Sequence, residues 1–239
     1  IFRFNGTLDE IAIYNRTLTA SEISTHAWGN YDNYEMYGGG DVGTGAIRLF
    51  NHNQTLDCNG KYLKGNGNGI GIDLDFYVSE GDELENVTVM NCNVDWFNTG
   101  LKSNARGLGL KNFVSKNSRS DNILLVVGIA GGNYTTYMEN ITLINSSTED
   151  NIQANANGLT NITIIGMNSS YSKLTCATVS ADYYKIINSY FYNSTSDICV
   201  SLAGTLVGNS LFANNTLKYS TTDNKYALFK VDSLTLENK

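Results

Sequence analysis

The sequence predicts an all-β solenoid: stacked coils of about 21–22 residues, three short strands to a coil, enclosing one core. Three observations carry this. One strand–Asn–strand unit recurs along the chain. The composition suits short strands joined by polar turns, with 23 glycines, 15 tyrosines and no proline in 239 residues. The recurrence is also too short for helix pairs and too regular for a sandwich.

The unit reads NVTVMNCNV (86–94), GLGLKNFVS (107–115), NITLINSST (140–148), NITIIGMNS (161–169), YKIINSYFY (184–192), TLVGNSLFA (205–213) and SLTLENK (233–239). Its pivots are Asn91, Asn112, Asn145, Gly166, Asn188, Asn209 and Asn238, at intervals of 21, 33, 21, 22, 21 and 29. Four intervals are one period, and two are a period plus an insertion. The insertions are GIAGGNYTTYM (128–138) and KYSTTDNKY (218–226). A tight corner between strands needs a left-handed or bridge conformation, which Asn and Gly tolerate. Stacked Asn amides can also bond along the stack.

A further strand lies between pivots: GIGIDLD (69–75), NTGLKS (98–103), NIQANA (151–156), LTCATVS (174–180) and DICVSLA (197–203). Alternation sorts its side chains. Ile72, Leu74, Leu101, Ile152, Ala154, Leu174, Cys176, Ile198 and Val200 face inward. Asp73, Asp75, Lys102, Gln153, Asn155, Thr175, Ala177, Cys199 and Ser201 face outward. About eight coils would stack to a length of about 4 nm.

The strand–Asn–strand units resemble right-handed parallel β-helix proteins of the pectin-lyase-like type. The portion TLDCNGKYLKGNGNGIGI to NVTVMNC is similar to NosD-like and archaeal surface-protein repeats (the PbH1 type). The likeness spans residues 42–239, and the alternative is a stack of hairpins. Ahead of a linker at 31–41, residues 1–30 hold FNGTLDEIAIYNRTLTASEI. That stretch resembles the last strand and trailing helix of laminin-G-like or concanavalin A-like jelly rolls. It reads as the remnant of a lectin-like domain, or else as a cap on the solenoid. The unit begun at SLTLENK reads as cut short.

Charge and motif content narrow the function. The net charge is −7 with 16% charged residues, and no basic run marks a nucleic-acid site. No apolar run reaches membrane-spanning length. Ile1 is not a start methionine, so the lack of a leader describes this stretch of chain alone. No CxxC or Cys/His spacing suggests a metal. Cys58 and Cys92 fall on neighbouring coils and form either a bridge or two buried thiols; Cys176 and Cys199 are left undecided.

The resemblance implies a glycan lying across one sheet, attacked by clustered acids or by a base beside calcium. The family's paired-Asp, Gly-His-Gly and Arg-Ile-Lys motifs do not occur, and a motif requiring proline cannot. Asp73 and Asp75, two apart on one strand, stand about 7 Å apart on one face. With Asp95 they are the candidate calcium ligands, and as a pair the candidate glycosidase acids. The plainer reading is a solvated polar face. Trp96, Tyr183 and Tyr134, with Tyr137, are the candidate sugar-stacking aromatics; the plainer reading is loop packing.

Eleven sequons occur, at Asn5, Asn15, Asn53, Asn86, Asn133, Asn140, Asn145, Asn161, Asn168, Asn193 and Asn214. Asn86, Asn133, Asn140, Asn161 and Asn193 are the leading glycosylation candidates. The resulting expectation is an extracellular or cell-surface module, a rigid scaffold and carbohydrate-binding adhesion element within a larger chain. It needs no cofactor, calcium being the one candidate. A polysaccharide lyase or hydrolase, and a purely structural surface-layer rod, are the alternatives.

Overall fold

A computed structural model describes residues 45–49, 51–75, 83–126, 134–155, 159–192, 200–203, 210–218 and 229–232. The chain divides into two units between Asp32 and Asn33, and every described residue belongs to the second. Residues 1–30, with the lectin-like stretch, the 31–41 linker, Asn133, Asn193, Cys199 and the pivots Asn209 and Asn238 lie outside the described residues.

The described unit is a parallel β-solenoid, with no helix among the described residues. One wall is an eight-stranded parallel sheet: Gly45–Arg48, Ile70–Leu74, Thr99–Ser103, Ile123–Leu125, Ile152–Asn155, Ala177–Ser180, Val200–Ala203 and Phe229–Asp232. The other two walls are arms of one bent twelve-stranded sheet. Arg106–Ser118 and Tyr134–Ser146 run unbroken through both arms. The first arm also holds Glu85–Met90, Leu159–Ile165 and Tyr183–Ile187. The second holds Asn93–Asp95, Asn168–Ser172 and Tyr190–Tyr192.

The core follows from period-2 alternation held in register from coil to coil. On the eight-stranded wall one inward row is Ile72, Leu101, Ile123, Ile152, Ala177 and Val200, all buried. Ala177 corrects the expected phase, which placed it outward and Leu174 inward. Leu174 is 42% exposed and precedes the strand. The corner takes up residues 173–175, because the Thr175 amide donates to Asp150 Oδ1 (2.8 Å) and the Leu174 amide to the Glu149 carbonyl (3.1 Å). Alternation therefore starts later than the sequence suggested.

The pivots are corners with left-handed backbone: Asn91, Asn112, Asn188 and Gly166 have φ of 54°, 48°, 53° and 65°. Asn145 is a correction. The residue stacked on Asn112 is Asn140, whose Nδ2 donates to Asn112 Oδ1 (2.8 Å), while Asn145 donates to Asn117 (2.9 Å). Each coil turns twice across the bent sheet, five residues apart, and both corners favour Asn, so spacing alone chose the wrong one. Bonded partners in the first column are separated by 21, 28 and 26 residues, so coil length varies more than expected.

Cys58 and Cys92 form a disulfide between neighbouring coils, closing a separation of 34 residues. Cys176 is a buried thiol whose Sγ donates to the Tyr192 carbonyl (3.7 Å). Replacing both bridge cysteines with Ser is expected to cost about 2–4 kcal/mol, by loss of the constraint on the unfolded chain. Urea unfolding of the oxidised protein and the double variant measures this; coincident midpoints would refute it.

Candidate functional site

The outer face of the first arm carries two side-chain rows in register. One is Asn86, Gly107, Thr135, Asn161 and Tyr183; the other is Thr88, Gly109, Tyr137, Thr163 and Lys185. Two consecutive outward positions of one strand are thus glycine. The strand shows bare backbone between neighbours that carry Asn and Thr on one side and Thr and Tyr on the other. The result is a trench of about 430 Å³ lined by these residues. Its lips stand two strand spacings apart, about 10 Å.

Gly107 is sterically required, whereas Gly109 is tight only against a side chain that can yield. A Cβ on Gly107 would lie 2.8 Å from Asn86 Oδ1, and its φ of +80° disfavours any L side chain. A Cβ on Gly109 would lie 3.2 Å from Thr88 Oγ1. Tyr137 stands on the lip, 36% exposed. Its hydroxyl donates to Glu139 Oε2 (3.1 Å), and Lys111 Nζ lies 5.9 Å from its ring centre. Partial desolvation, then Glu139, push the Tyr137 hydroxyl pKa up, so it remains a neutral donor. Asn161, on the strand beyond the Thr135–Tyr137 lip, also lines the trench and has a buried Oδ1 with no hydrogen-bond partner. The lining offers hydroxyls, amides and one aromatic face, a set suited to a polyol or sugar.

The expected residues fall in four places. Tyr183 extends the trench row beyond Asn161, half-buried. Tyr134 is 1% exposed and offers no ring face to a ligand. Its hydroxyl donates to Glu83 Oε1 (3.0 Å), and Arg106, paired with Glu83 at 3.1 Å, covers its ring. Tyr134 is thus part of a buried brace beside the trench. Trp96 is a corner residue of the second column, with φ of 62° and 53% exposure.

Asp73 and Asp75 lie on the eight-stranded wall off the inward row, but Asp73 is buried (3% exposed) rather than solvated, and each has a cationic neighbour. Arg48 bonds Asp73 Oδ2 through Nε (3.0 Å) and Nη2 (2.9 Å), and Lys102 pairs with Asp75. Asp95 lies on the second arm, a different sheet, where it accepts Asn117 Nδ2 (2.8 Å). The structure therefore does not bring the three aspartates together. Among the described residues no group of three His, Cys, Asp or Glu side chains could hold a metal.

The sequons have a structural origin. Asn86 and Asn140 are exposed corners whose amides donate to Asn53 (3.1 Å) and Asn112 (2.8 Å). The next residue, Val87 or Ile141, is buried, and the Thr after it faces out. Corner Asn, inward aliphatic, outward Thr spells N-x-T. Asn161-Ile162-Thr163 keeps the same order within a strand rather than at a corner, with Asn161 and Thr163 lining the trench.

No family model, curated protein or solved structure matches this chain.

Proposed function

We propose that this chain is an extracellular, cell-surface β-solenoid scaffold whose bent sheet presents a glycan-binding trench. The observation that carries this is the pair of outward glycines, Gly107 and Gly109, opening a channel between Thr88 and Tyr137. A regular parallel wall gains nothing in strand stability from glycine. A channel one strand wide, with hydroxyl and amide walls and an aromatic lip, admits a sugar ring. The Cys58–Cys92 bridge supports an oxidising compartment. The pectin-lyase-like and NosD-like likeness, a lectin-like neighbour and use of the sequons belong to this reading as expectations.

The glycan-cleaving alternative relies on Asp73 and Asp75, and their pairing with Arg48 and Lys102 does not favour it. It keeps a direct test: release of new reducing ends from a polysaccharide panel, abolished in Asp73→Asn.

Binding is tested by calorimetric titration with soluble oligosaccharides. Tyr137→Ala is expected to lower affinity about tenfold, the loss of one stacking face. Gly109→Val, which fills the trench while favouring strand, is expected to do the same with little effect on stability. Affinity unchanged in both variants would sink the trench as a binding site.

A further inference from the structure

The second corner column consists of Trp96, Asn117, Asn145 and Tyr171, in register through their neighbouring residues. All four have left-handed backbone, with φ of 62°, 53°, 62° and 57°. In the first column every described corner from Asn91 to Asn214 is Asn or Gly. Bulky side chains are genuine outliers in this conformation, and strain of this kind collects at functional positions. Burial does not offset it here, because Trp96 is 53% and Tyr171 50% exposed. The backbone does not demand them either. The Trp96 amide and carbonyl make ordinary bonds to Lys116 and Gly67 (3.2 and 2.6 Å) that Asn would make equally well.

The Tyr171 ring is also held in place. Tyr192 meets it edge-on at 5.7 Å, Tyr190 stacks on Tyr192 at 6.0 Å, and Lys218 Nζ lies 5.9 Å from the Tyr192 ring. Trp96 and Tyr171 are three strand steps apart, about 14 Å. Between them stand Asn117, half-buried, and Asn145, exposed. An exposed aromatic post, two amides and a second aromatic post thus run parallel to the stacking direction of the coils.

We propose that this column is a second glycan site, independent of the trench, which takes an extended oligosaccharide lying along the solenoid. Sugar faces stack on Trp96 and Tyr171, and hydroxyls between them meet the free lone pairs and N–H groups of Asn117 and Asn145. Lys64, Asp95 and Lys116 alternate in charge beside the column, so no strong field selects a polyanion.

The test is calorimetric titration of cellohexaose, chitohexaose and xylohexaose into wild type, Trp96→Asn, Tyr171→Asn and Tyr137→Ala, with melting curves for each. At least one hexasaccharide is expected to bind wild type. Trp96→Asn and Tyr171→Asn should each weaken it five-fold or more. Their melting temperatures should hold or rise by about 2–4 °C, as Asn relaxes the corner. The proposal is overturned if no hexasaccharide binds, if both Asn variants bind like wild type, or if Trp96→Asn melts several degrees lower. Loss confined to Tyr137→Ala leaves the trench standing without the column. Loss confined to the Asn variants does the reverse.

Discussion

Asn122→Ala is expected to destabilise the solenoid by about 3–5 kcal/mol, far more than the loss of an exposed corner amide. Asn122 is fully buried at the junction of the second arm and the eight-stranded wall. Its Oδ1 accepts from Ser115 Oγ and Ser118 Oγ, both at 2.8 Å, and its Nδ2 donates to Asn151 Oδ1 at 2.7 Å. Asn151 in turn donates to Ser169 Oγ (3.0 Å) and the Ser170 carbonyl (2.9 Å). Truncation leaves two buried hydroxyls and one amide oxygen without this partner, at about 1–3 kcal/mol each before relaxation. Asn112→Ala, on the exposed ladder, should cost about 1–2 kcal/mol, mostly the strain of Ala in a left-handed corner, because water replaces its amide's partners. Urea midpoints of the two variants decide the matter. Equal losses would mean that the buried network contributes no more than the surface ladder.

Asp121→Asn is expected to stabilise the protein at pH 8 and to remove a pH dependence between about 4 and 7. Asp121 is 2% exposed, and its carboxyl pKa is pushed up to about 7, first by burial and further by Asp150 and Glu149, against the opposing bond from Ser120. The ordinary value in an unfolded chain is about 3.9. Between the two the folded state holds a proton that the unfolded state has lost, so stability falls as pH rises through this window and is flat above it. Three pH units at 1.36 kcal/mol each set the scale, on the order of 4 kcal/mol, reduced by any relaxation around the carboxylate. Asn keeps an oxygen for the Asp150 amide, which now donates to Asp121 Oδ1 at 3.2 Å. Melting curves at pH 4.5, 6 and 8 test this. Parallel wild-type and variant profiles would show that Asp121 is not the group responsible.

The solenoid was legible in the sequence because alternation and left-handed corners are local properties. Ile72, Leu101 and Ile152 are buried as alternation required, and Asn91 and Asn112 turn as expected. Assignment of Asn to columns was not legible. Asn112 and Asn117, like Asn140 and Asn145, offer two equivalent corners, and only strand register separates them. The trench escaped notice for a related reason. GLGL reads as a strand with weak side chains, and only the register of Thr88 and Tyr137 on Gly109 shows an opening. The buried network did leave a trace, since Asp121-Asn122-Ile123 recurs as Asp150-Asn151-Ile152. Tyr134 was misleading because an aromatic residue beside an insertion can turn either way. Here the ion pair of Glu83 and Arg106 holds it inside.

The corner amides have a direction. Asn140 donates to Asn112, Asn112 to Asn91, and Asn145 to Asn117; Asn86 donates to Asn53 and Asn214 to Asn188. In every case the later coil gives its N–H to the earlier one. Two columns then end on carboxylates, Asn91 on Asp57 (2.9 Å) and Asn117 on Asp95 (2.8 Å). Aligned amides sum to a dipole whose positive pole points at the earlier coils, and a negative charge stands at that pole, as an acidic residue does at the start of a helix. The Asp57 pKa is drawn down accordingly, by the Asn91 amide first and the Asn59 backbone second. The buried pair runs the other way, Asn122 donating forward to Asn151. Each surface ladder is therefore electrically polar, with its positive end toward the earlier coils, while the buried Asn122–Asn151 bond points the opposite way.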